Sequence, residues 1–87
     1  MPGPSAKRIA KLRREIRCYQ HAIDADLLMI GQLTHTRRTN VYAVRYAAYR
    51  AEIDEQIAAL ENRRDELDRS MFELEDELNQ LLNPTQA

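Results

Sequence analysis

Apolar residues recur along this chain with the seven-residue spacing of a coiled-coil seam, in two ladders separated by a polar stretch. The positions of the first ladder are Ile9, Leu12, Ile16, Tyr19, Ile23, Asp26, Ile30 and Leu33. Those of the second are Ala43, Tyr46, Arg50, Ile53, Ile57, Leu60, Arg64, Leu67, Met71, Leu74, Leu78 and Leu81. Two such ladders on one short chain predict an all-α fold, an antiparallel two-helix coiled-coil hairpin.

Capping residues and helix breakers set the predicted boundaries. Ser5 can cap a first helix, Thr39 or Asn40 a second, and Asn83-Pro84 stops the second helix. We therefore predict a flexible tail over residues 1–4 and a hairpin over 5–82, followed by a tail over 83–87. Within the hairpin, the expected elements are a helix over 5–35, a turn over 36–40 and a helix over 41–82.

The two ladders also predict a register. Folding the chain at Arg38 pairs positions whose numbers add to 76, so that Ile23 meets Ile53 and core positions face each other throughout. In this register Asp26 lies opposite Arg50. We interpret these two residues as a structural polar pair that fixes orientation, as polar core positions do in other coiled coils.

With the fold at Arg38, the first helix covers the second only as far as about Met71. The apolar stripe beyond that point has no partner within the hairpin, which is typical of an intermolecular contact. A second apolar surplus lies near the turn. The predicted partner-binding residues are Phe72, Leu74, Leu78 and Leu81 on the uncovered end, with Leu28, Met29, Tyr42 and Tyr49 near the turn. Two hairpins could bury this surplus by dimerising into a four-helix bundle.

Composition agrees with one thin helical domain: 87 residues, 31 % charged and 6 % aromatic. The net charge is −1, but the charged residues are unevenly distributed along the chain. Residues 1–40 hold eight Lys/Arg against three Asp/Glu, and residues 41–87 hold five against eleven. The single cysteine, Cys18, excludes an internal disulfide. The most apolar stretch, residues 22–33, contains two aspartates, so we expect no membrane contact and a cytoplasmic location.

The sequence carries no constellation for chemistry. His21 and His35 lack neighbours at ligand spacing, and there is no phosphate-binding glycine loop or nucleophile motif. We therefore expect no catalytic residues, metal, cofactor or small-molecule substrate. The predicted function is a non-enzymatic protein–protein interaction module: a small adaptor, regulator or assembly factor that contacts a second copy, another protein, or both.

Two alternatives stay open. A positive stripe on the outer face of the first helix is typical of phosphate binding, which favours a nucleic-acid-binding regulator. Its residues are Lys7, Lys11, Arg14 and Arg17. The acidic stretch from Glu73 to Glu77 could instead dock on a basic groove of another protein, as a small inhibitor would.

Overall fold

A computed structural model describes residues 4–83, and all of them are helical except Asn40, Tyr46 and Asn83. Three helices follow one another: α1 (Pro4–Thr39), α2 (Val41–Arg45) and α3 (Ala47–Leu82). The two long helices pack against each other in opposite directions, and α2 forms the corner between them. The molecule is an all-helical hairpin measuring 64 × 24 × 13 Å. Most of the two predicted tails lies outside the described residues.

The first helix runs through the segment predicted as a turn. α1 ends at Thr39, so both its predicted end at residue 35 and the turn over 36–40 are wrong. Residues 32–39 contain neither glycine nor proline, and three of their hydroxyls bond the carbonyl four residues earlier at 2.8–3.0 Å, namely those of Thr34, Thr36 and Thr39. A threonine whose hydroxyl donates to the carbonyl four residues earlier can remain inside a helix and does not have to end it. Arg37 and Arg38 in the last turn also suit the negative end of the helix dipole.

Two single residues with extended backbone turn the chain. Asn40 (φ −73°, ψ 131°) caps α2, because its side-chain oxygen accepts from the amides of Tyr42 at 2.9 Å and Ala43 at 3.3 Å. Tyr46 (φ −113°, ψ 113°) separates α2 from α3. Its own N–H still donates to the carbonyl of Tyr42 at 2.8 Å. The hairpin therefore has a helical corner in place of a polar loop, and we call residues 40–46 the tip.

The seam follows the predicted ladders almost completely. Leu12, Ile16, Ile23, Ala43 and Ile53 are the buried hydrophobic residues of the described chain. The remaining ladder positions are half-buried, apart from Asp26, which is buried, and Tyr46, which is exposed. The placement of Tyr46 in the seam was wrong because the helix breaks at that residue and its ring turns outward.

The register differs from the predicted one by about two heptads. Three ion pairs across the seam define it: Arg8–Glu77, Asp26–Arg63 and Arg37–Asp54. Their residue numbers add to 85, 89 and 91 rather than 76. Relative to the prediction, α3 is displaced along α1 by about 14 residues, or roughly 20 Å. Ile23 is level with Leu67 instead of Ile53, and α1 extends along the whole of α3.

Candidate partner-binding surface

The hairpin buries little of its apolar surface. Five hydrophobic residues are buried, whereas ten large ones are exposed in the described chain. The exposed residues are Leu27, Leu28, Met29, Val41, Tyr42, Val44, Tyr46, Tyr49, Phe72 and Leu82. A two-helix hairpin can cover only one side of each helix, so most of this surface has no neighbour within the chain. The positions of these side chains therefore define the candidate partner-binding surface.

The densest group lies at the tip. We call Val41, Tyr42, Val44 and Tyr46 the tip patch; each of them is more than half exposed. The rings of Tyr42 and Tyr46 are stacked, with centroids 6.1 Å apart and planes 18° apart. Together with Tyr49 and Glu52 they line an open depression. The helical corner thus presents two aliphatic and two aromatic side chains outward from one end of the hairpin.

A second group sits on α1 beside the tip. Leu27, Leu28 and Met29 are exposed, as three successive apolar residues on a helix must be when one face already fills the seam. Leu27 and Leu28 line an open depression that also includes Gly31 and Thr36. The structure places the predicted residues Leu28, Met29, Tyr42 and Tyr49 on the surface of this half of the hairpin.

The opposite end, where α1 begins and α3 finishes, is less bare than predicted; we call it the open end. Leu74, Leu78 and Leu81 are half-buried rather than uncovered. Leu74 shares a depression with Tyr19, and Leu78 shares another with Ile16. The prediction that this apolar stripe is uncovered was wrong, because the displacement of about two heptads brings α1 alongside it. Phe72 and Leu82, which are ten residues apart on α3, remain exposed.

The charge around the tip is positive. Residues 27–51, which include the tip, contain four arginines and no Asp or Glu. Two of the four are engaged inside the hairpin. Arg37 donates two hydrogen bonds to the carboxylate of Asp54, from Nε at 2.6 Å and from Nη2 at 3.3 Å. Arg50 donates to the carbonyls of Ala43, at 3.2 Å, and Val44, at 2.7 Å. The other two, Arg38 and Arg45, are exposed beside the tip patch.

At the open end, the last three turns of α3 carry acidic residues. Residues 70–83 contain four Asp/Glu and no Lys or Arg. One of the four is neutralised within the hairpin, because Glu77 accepts two hydrogen bonds from Arg8, at 2.9 and 2.8 Å. Glu73, Glu75 and Asp76 are exposed. The open end of α3 is thus anionic beside an exposed phenylalanine, whereas the tip is cationic beside exposed tyrosines.

The basic stripe of α1 lies on the solvent side, as its spacing predicts. Lys7, Lys11, Arg14 and Arg17 are all exposed. Within the described chain, the one contact of these four to a carboxylate is Lys11 to Glu15, at 3.9 Å. The acidic residues level with this stripe belong to the end of α3, not to residues 61–68 as the predicted register requires.

Asp26 and Arg50 do not form the predicted pair. Asp26 is 3 % exposed, and its Oδ2 lies 3.3 Å from Nε of Arg63. That distance allows attraction between the charges, yet the orientation does not make a hydrogen bond, and Oδ2 has no hydrogen-bond partner within residues 4–83. Arg50 instead holds the last carbonyls of α2. The pairing was wrong because it depended on the register, and Arg63 was missed because it flanks the seam.

Arg64, the seam position next to Arg63, turns away from the core. Its Nη2 donates to Asp65 at 3.0 Å, and that hydrogen bond, with the charges of Glu61 and Asp68, raises the pKa of the guanidinium above its ordinary value. A long side chain of this kind lies along the seam and keeps its charge in water. Arg64 therefore does not complete the hydrogen bonding of Asp26.

Other kinds of site find little support between Pro4 and Asn83. This part of the chain contains no group of three or more His, Cys, Asp or Glu side chains that could hold a metal ion. None of its helices is long and apolar enough to cross a membrane. Cys18 is an exposed thiol. No family model, curated protein or solved structure matches the chain.

Proposed function

We propose that this protein is a non-enzymatic coiled-coil interaction module, a small adaptor, regulator or assembly factor that acts through helix–helix contacts. Its first partner is a second copy of the same chain, with which it forms a four-helix bundle. The observation that carries this proposal is that five hydrophobic residues of the described chain are buried, whereas ten large hydrophobic residues are exposed. Helical stability comes mostly from burying an amphipathic face, and a bundle supplies the missing cover.

The energy available from that cover is substantial. Fully burying an exposed Val, Leu or Phe side chain contributes about 1.5–3 kcal/mol. Each copy offers four such exposed side chains, Val41, Val44, Phe72 and Leu82, and two exposed tyrosine rings, Tyr42 and Tyr46. Association costs at least several kcal/mol in lost freedom, so partial burial of these groups on both copies is enough to offset it.

Charge on the helices also favours a second copy. α1 contains eight Lys/Arg and three Asp/Glu, whereas α3 contains four and eleven. When α1 of one copy lies beside α3 of the other, every helix in the bundle has neighbours of opposite charge. A twofold axis makes each such contact twice. Surface not used in the bundle, including Leu28 and Met29, stays available to another protein.

Sedimentation equilibrium tests the proposal. At about 100 µM, far above the micromolar range of ordinary specific association, we expect a mass twice the 10.2 kDa of the chain. Tyr42→Ser combined with Val44→Ser should shift the mass toward the monomer, because both changes remove exposed apolar surface. Asn62→Ser, on the outer face of α3, is the matched control and should leave the dimer intact. A wild-type mass of 10.2 kDa at this concentration rejects self-association.

A nucleic-acid-binding regulator is a second candidate, favoured by the exposed stripe of Lys7, Lys11, Arg14 and Arg17. If these four side chains each neutralise one phosphate of a duplex, affinity should fall about 100-fold between roughly 50 and 200 mM salt. Fluorescence anisotropy with labelled duplex and single-stranded oligonucleotides measures this fall. Lys7→Gln with Lys11→Gln should halve the salt slope. The absence of binding at the lower salt concentration removes this candidate.

We do not extend the proposal to an inhibitor that docks through its acidic helix end. The Glu77 carboxylate already accepts two hydrogen bonds from Arg8, and the basic first turns of α1 lie along the same end of the hairpin. A basic groove on another protein would meet Lys7, Arg8 and Lys11 together with the acidic residues of α3.

A further inference from the structure

We propose that the second copy packs on one particular face of the hairpin, in the parallel orientation, so that the two tips lie side by side. This inference rests on the self-association proposed above and assigns its surface and its orientation. The surface is the side on which Arg13 and Arg17 line a depression with Leu78, and we call it the front face. On the opposite side, the back face, Lys11 lines a depression with Leu74.

The heptad phase extends the front face along both helices. On α1, residues that follow Arg13 or Arg17 by multiples of seven lie on the same side. On α3, Asp54 marks it, because Arg37, which binds Asp54, is in phase with Ile16 of the front depression. Residues in phase with Asp54, and those four residues after them, therefore form the front face of α3.

The two helices carry opposite charge on this face. The front face of α1 has three arginines and one acidic residue, namely Arg13, Arg17, Arg38 and Asp24. That of α3 has five acidic residues and neither Lys nor Arg, namely Asp54, Glu61, Asp65, Asp68 and Glu75. All nine side chains are exposed. Neither the three arginines nor three of the carboxylates, Glu61, Asp68 and Glu75, form an ion pair within residues 4–83.

The front face also carries apolar side chains that the hairpin leaves uncovered. Leu27 on α1 and Phe72 and Leu82 on α3 are exposed. A Cβ added at Gly31, one turn after Leu27, would meet nothing within 4 Å. Glycine weakens a helix relative to alanine, and nothing inside the hairpin requires it at this position. The space beside Gly31 is open to a helix of the second copy.

The back face is occupied by contacts within the hairpin. Two of the three ion pairs that cross the seam lie on it, Arg8–Glu77 and Asp26–Arg63. Arg8 is in phase with Glu15, which lines the back depression. These long polar side chains cover the seam on this side, so the front face is the better surface for a second copy.

Twofold symmetry leaves two ways to lay one front face on another. With the axis along the bundle, the hairpins are parallel, and α1 of each copy faces α3 of the other. With the axis across the bundle, the hairpins are antiparallel, and each helix faces its own counterpart. The antiparallel pair sets the front arginines against arginines and the front carboxylates against carboxylates, whereas the parallel pair sets arginines against carboxylates. The charges of the front face therefore select the parallel pair.

The parallel pair has no free register, because an axis along the bundle leaves every residue at the same height in both copies. The ion pairs within one hairpin thus also fix which residues meet between copies. Arg17 lies level with Phe72 of the other copy, where a guanidinium can pack on the ring. Asp24 is the exception in charge, because it lies level with Asp65 of the other copy.

Distances between spin labels test the orientation. In a Cys18→Ser background, a label is attached at Lys7→Cys near the open end or at His35→Cys near the tip; all three native residues are exposed. Positions 7 and 35 have the same heptad phase and are about 42 Å apart along α1. In the parallel pair we expect about 30 Å between two labels at position 7 and the same between two labels at position 35.

An antiparallel pair cannot give two such distances. Its separations along the bundle at positions 7 and 35 differ by about 84 Å, so at least one of them exceeds about 40 Å. That result, with the dimer mass in sedimentation, overturns the parallel orientation and leaves self-association intact. The absence of any distance between copies, together with the monomer mass, overturns both.

Charge variants test the front face itself. Arg13→Glu with Arg17→Glu should weaken dimerisation about 10-fold or more, because carboxylates then meet carboxylates of the other copy. Lys7→Glu with Arg14→Glu makes the same change in net charge on the outer edge of α1, and this matched control should keep the wild-type dissociation constant. Equal dissociation constants for the two double variants would mean that the front face is not the contact.

Asp24→Lys separates the two orientations by the sign of its effect. In the parallel pair the lysine meets Asp65, so dimerisation should tighten. In an antiparallel pair it would add a cation to a contact between two basic helices and weaken dimerisation. Sedimentation equilibrium measures both directions, and a weaker dimer in the Asp24→Lys variant would overturn the parallel pair.

Discussion

At the scale of single residues, the buried Asp26 carboxylate works against the stability of the seam. Its Oδ2 has no hydrogen-bond partner within residues 4–83, and its counter-charge Arg63 is 63 % exposed. Burying a charge under such conditions costs more than a solvated ion pair returns. A role in specificity explains its presence better. A register shifted by one heptad in either direction would place Asp26 opposite Ile57 or Met71, so the carboxylate disfavours both of these registers.

A double-mutant cycle tests the observed pairing. Asp26→Asn and Arg63→Gln should be coupled by about 0.5–1 kcal/mol in the free energy of unfolding, a small value because the arginine is largely solvated. Asp26→Asn and Arg50→Gln, the matched cycle, should add within about 0.3–0.5 kcal/mol. Urea unfolding at one protein concentration measures both cycles. Coupling to Arg50 with none to Arg63 would contradict the register described here.

Arg50 has a different structural role, because it closes the corner of the hairpin. Its guanidinium bonds the carbonyls of Ala43 and Val44, which end α2 and would otherwise lack partners in that helix. Arg50→Gln should lower the free energy of unfolding by about 1–2 kcal/mol. Amide hydrogen exchange should quicken over residues 41–46 in particular. Arg14→Gln, an exposed control, should change neither the free energy of unfolding nor the rate of amide exchange. Unchanged exchange over residues 41–46 in the Arg50→Gln variant would contradict this role of Arg50.

At the scale of elements, the long α1 determines how the two helices meet. Both α1 and α3 are 36 residues long, so a corner at residues 40–46 lets them overlap along their whole length. A turn at residues 36–40 would shorten α1 and leave the end of α3 bare. Continuation of α1 through Thr36 therefore buries more of the seam than a turn would.

Proline at position 36 distinguishes a helix from a turn at this segment. Thr36→Pro should lower the free energy of unfolding by about 3 kcal/mol or more, because it removes an amide from the α1 ladder and its ring clashes with the preceding turn. Thr36→Ala keeps the amide and should change stability by about 0.5 kcal/mol at most. Circular dichroism during urea titration gives both values. Equal stabilities for the proline and alanine variants would place a turn there after all.

The seam positions were predictable from sequence, but the register was not. Apolar spacing identifies the inward face of each helix, and residues such as Leu12, Ile16 and Ile53 are buried as expected. A heptad repeat, however, matches itself after every seven-residue shift, so the same ladders fit several registers. The turn alone decides between them. Its signal was misread, because polar Thr and Arg residues continue α1 and the actual breaks, Asn40 and Tyr46, need no glycine.

The candidate site was predictable in part for the same reason. Leu28, Met29, Tyr42, Tyr49 and Phe72 are exposed, since their phase places them off the seam in any register. The remaining predicted contacts on α3, Leu74, Leu78 and Leu81, depended on the register and are half-buried beside α1. The tip patch left a signal in the sequence: two valines and two tyrosines within six residues, in a long stretch free of acidic side chains.

At the scale of the whole molecule, the hairpin resembles half of a bundle. The hairpin is 64 Å long and only 13 Å thick, so it has one seam between two helices and almost no further buried interior. Exposed apolar side chains lie at the tip and on both long helices. In the four-helix bundle that we propose, a second copy covers these side chains. In this account folding and association are one process, since much of the stability resides in the contact between copies.

The midpoint of thermal unfolding as a function of protein concentration tests that claim most directly. A fold completed by dimerisation is stabilised by mass action, so we expect the midpoint to rise by about 10 °C between roughly 1 µM and 1 mM. Far-UV circular dichroism follows it. A midpoint that stays the same at every concentration, with the helix content of the full hairpin, would show that one chain is stable alone and would contradict the account.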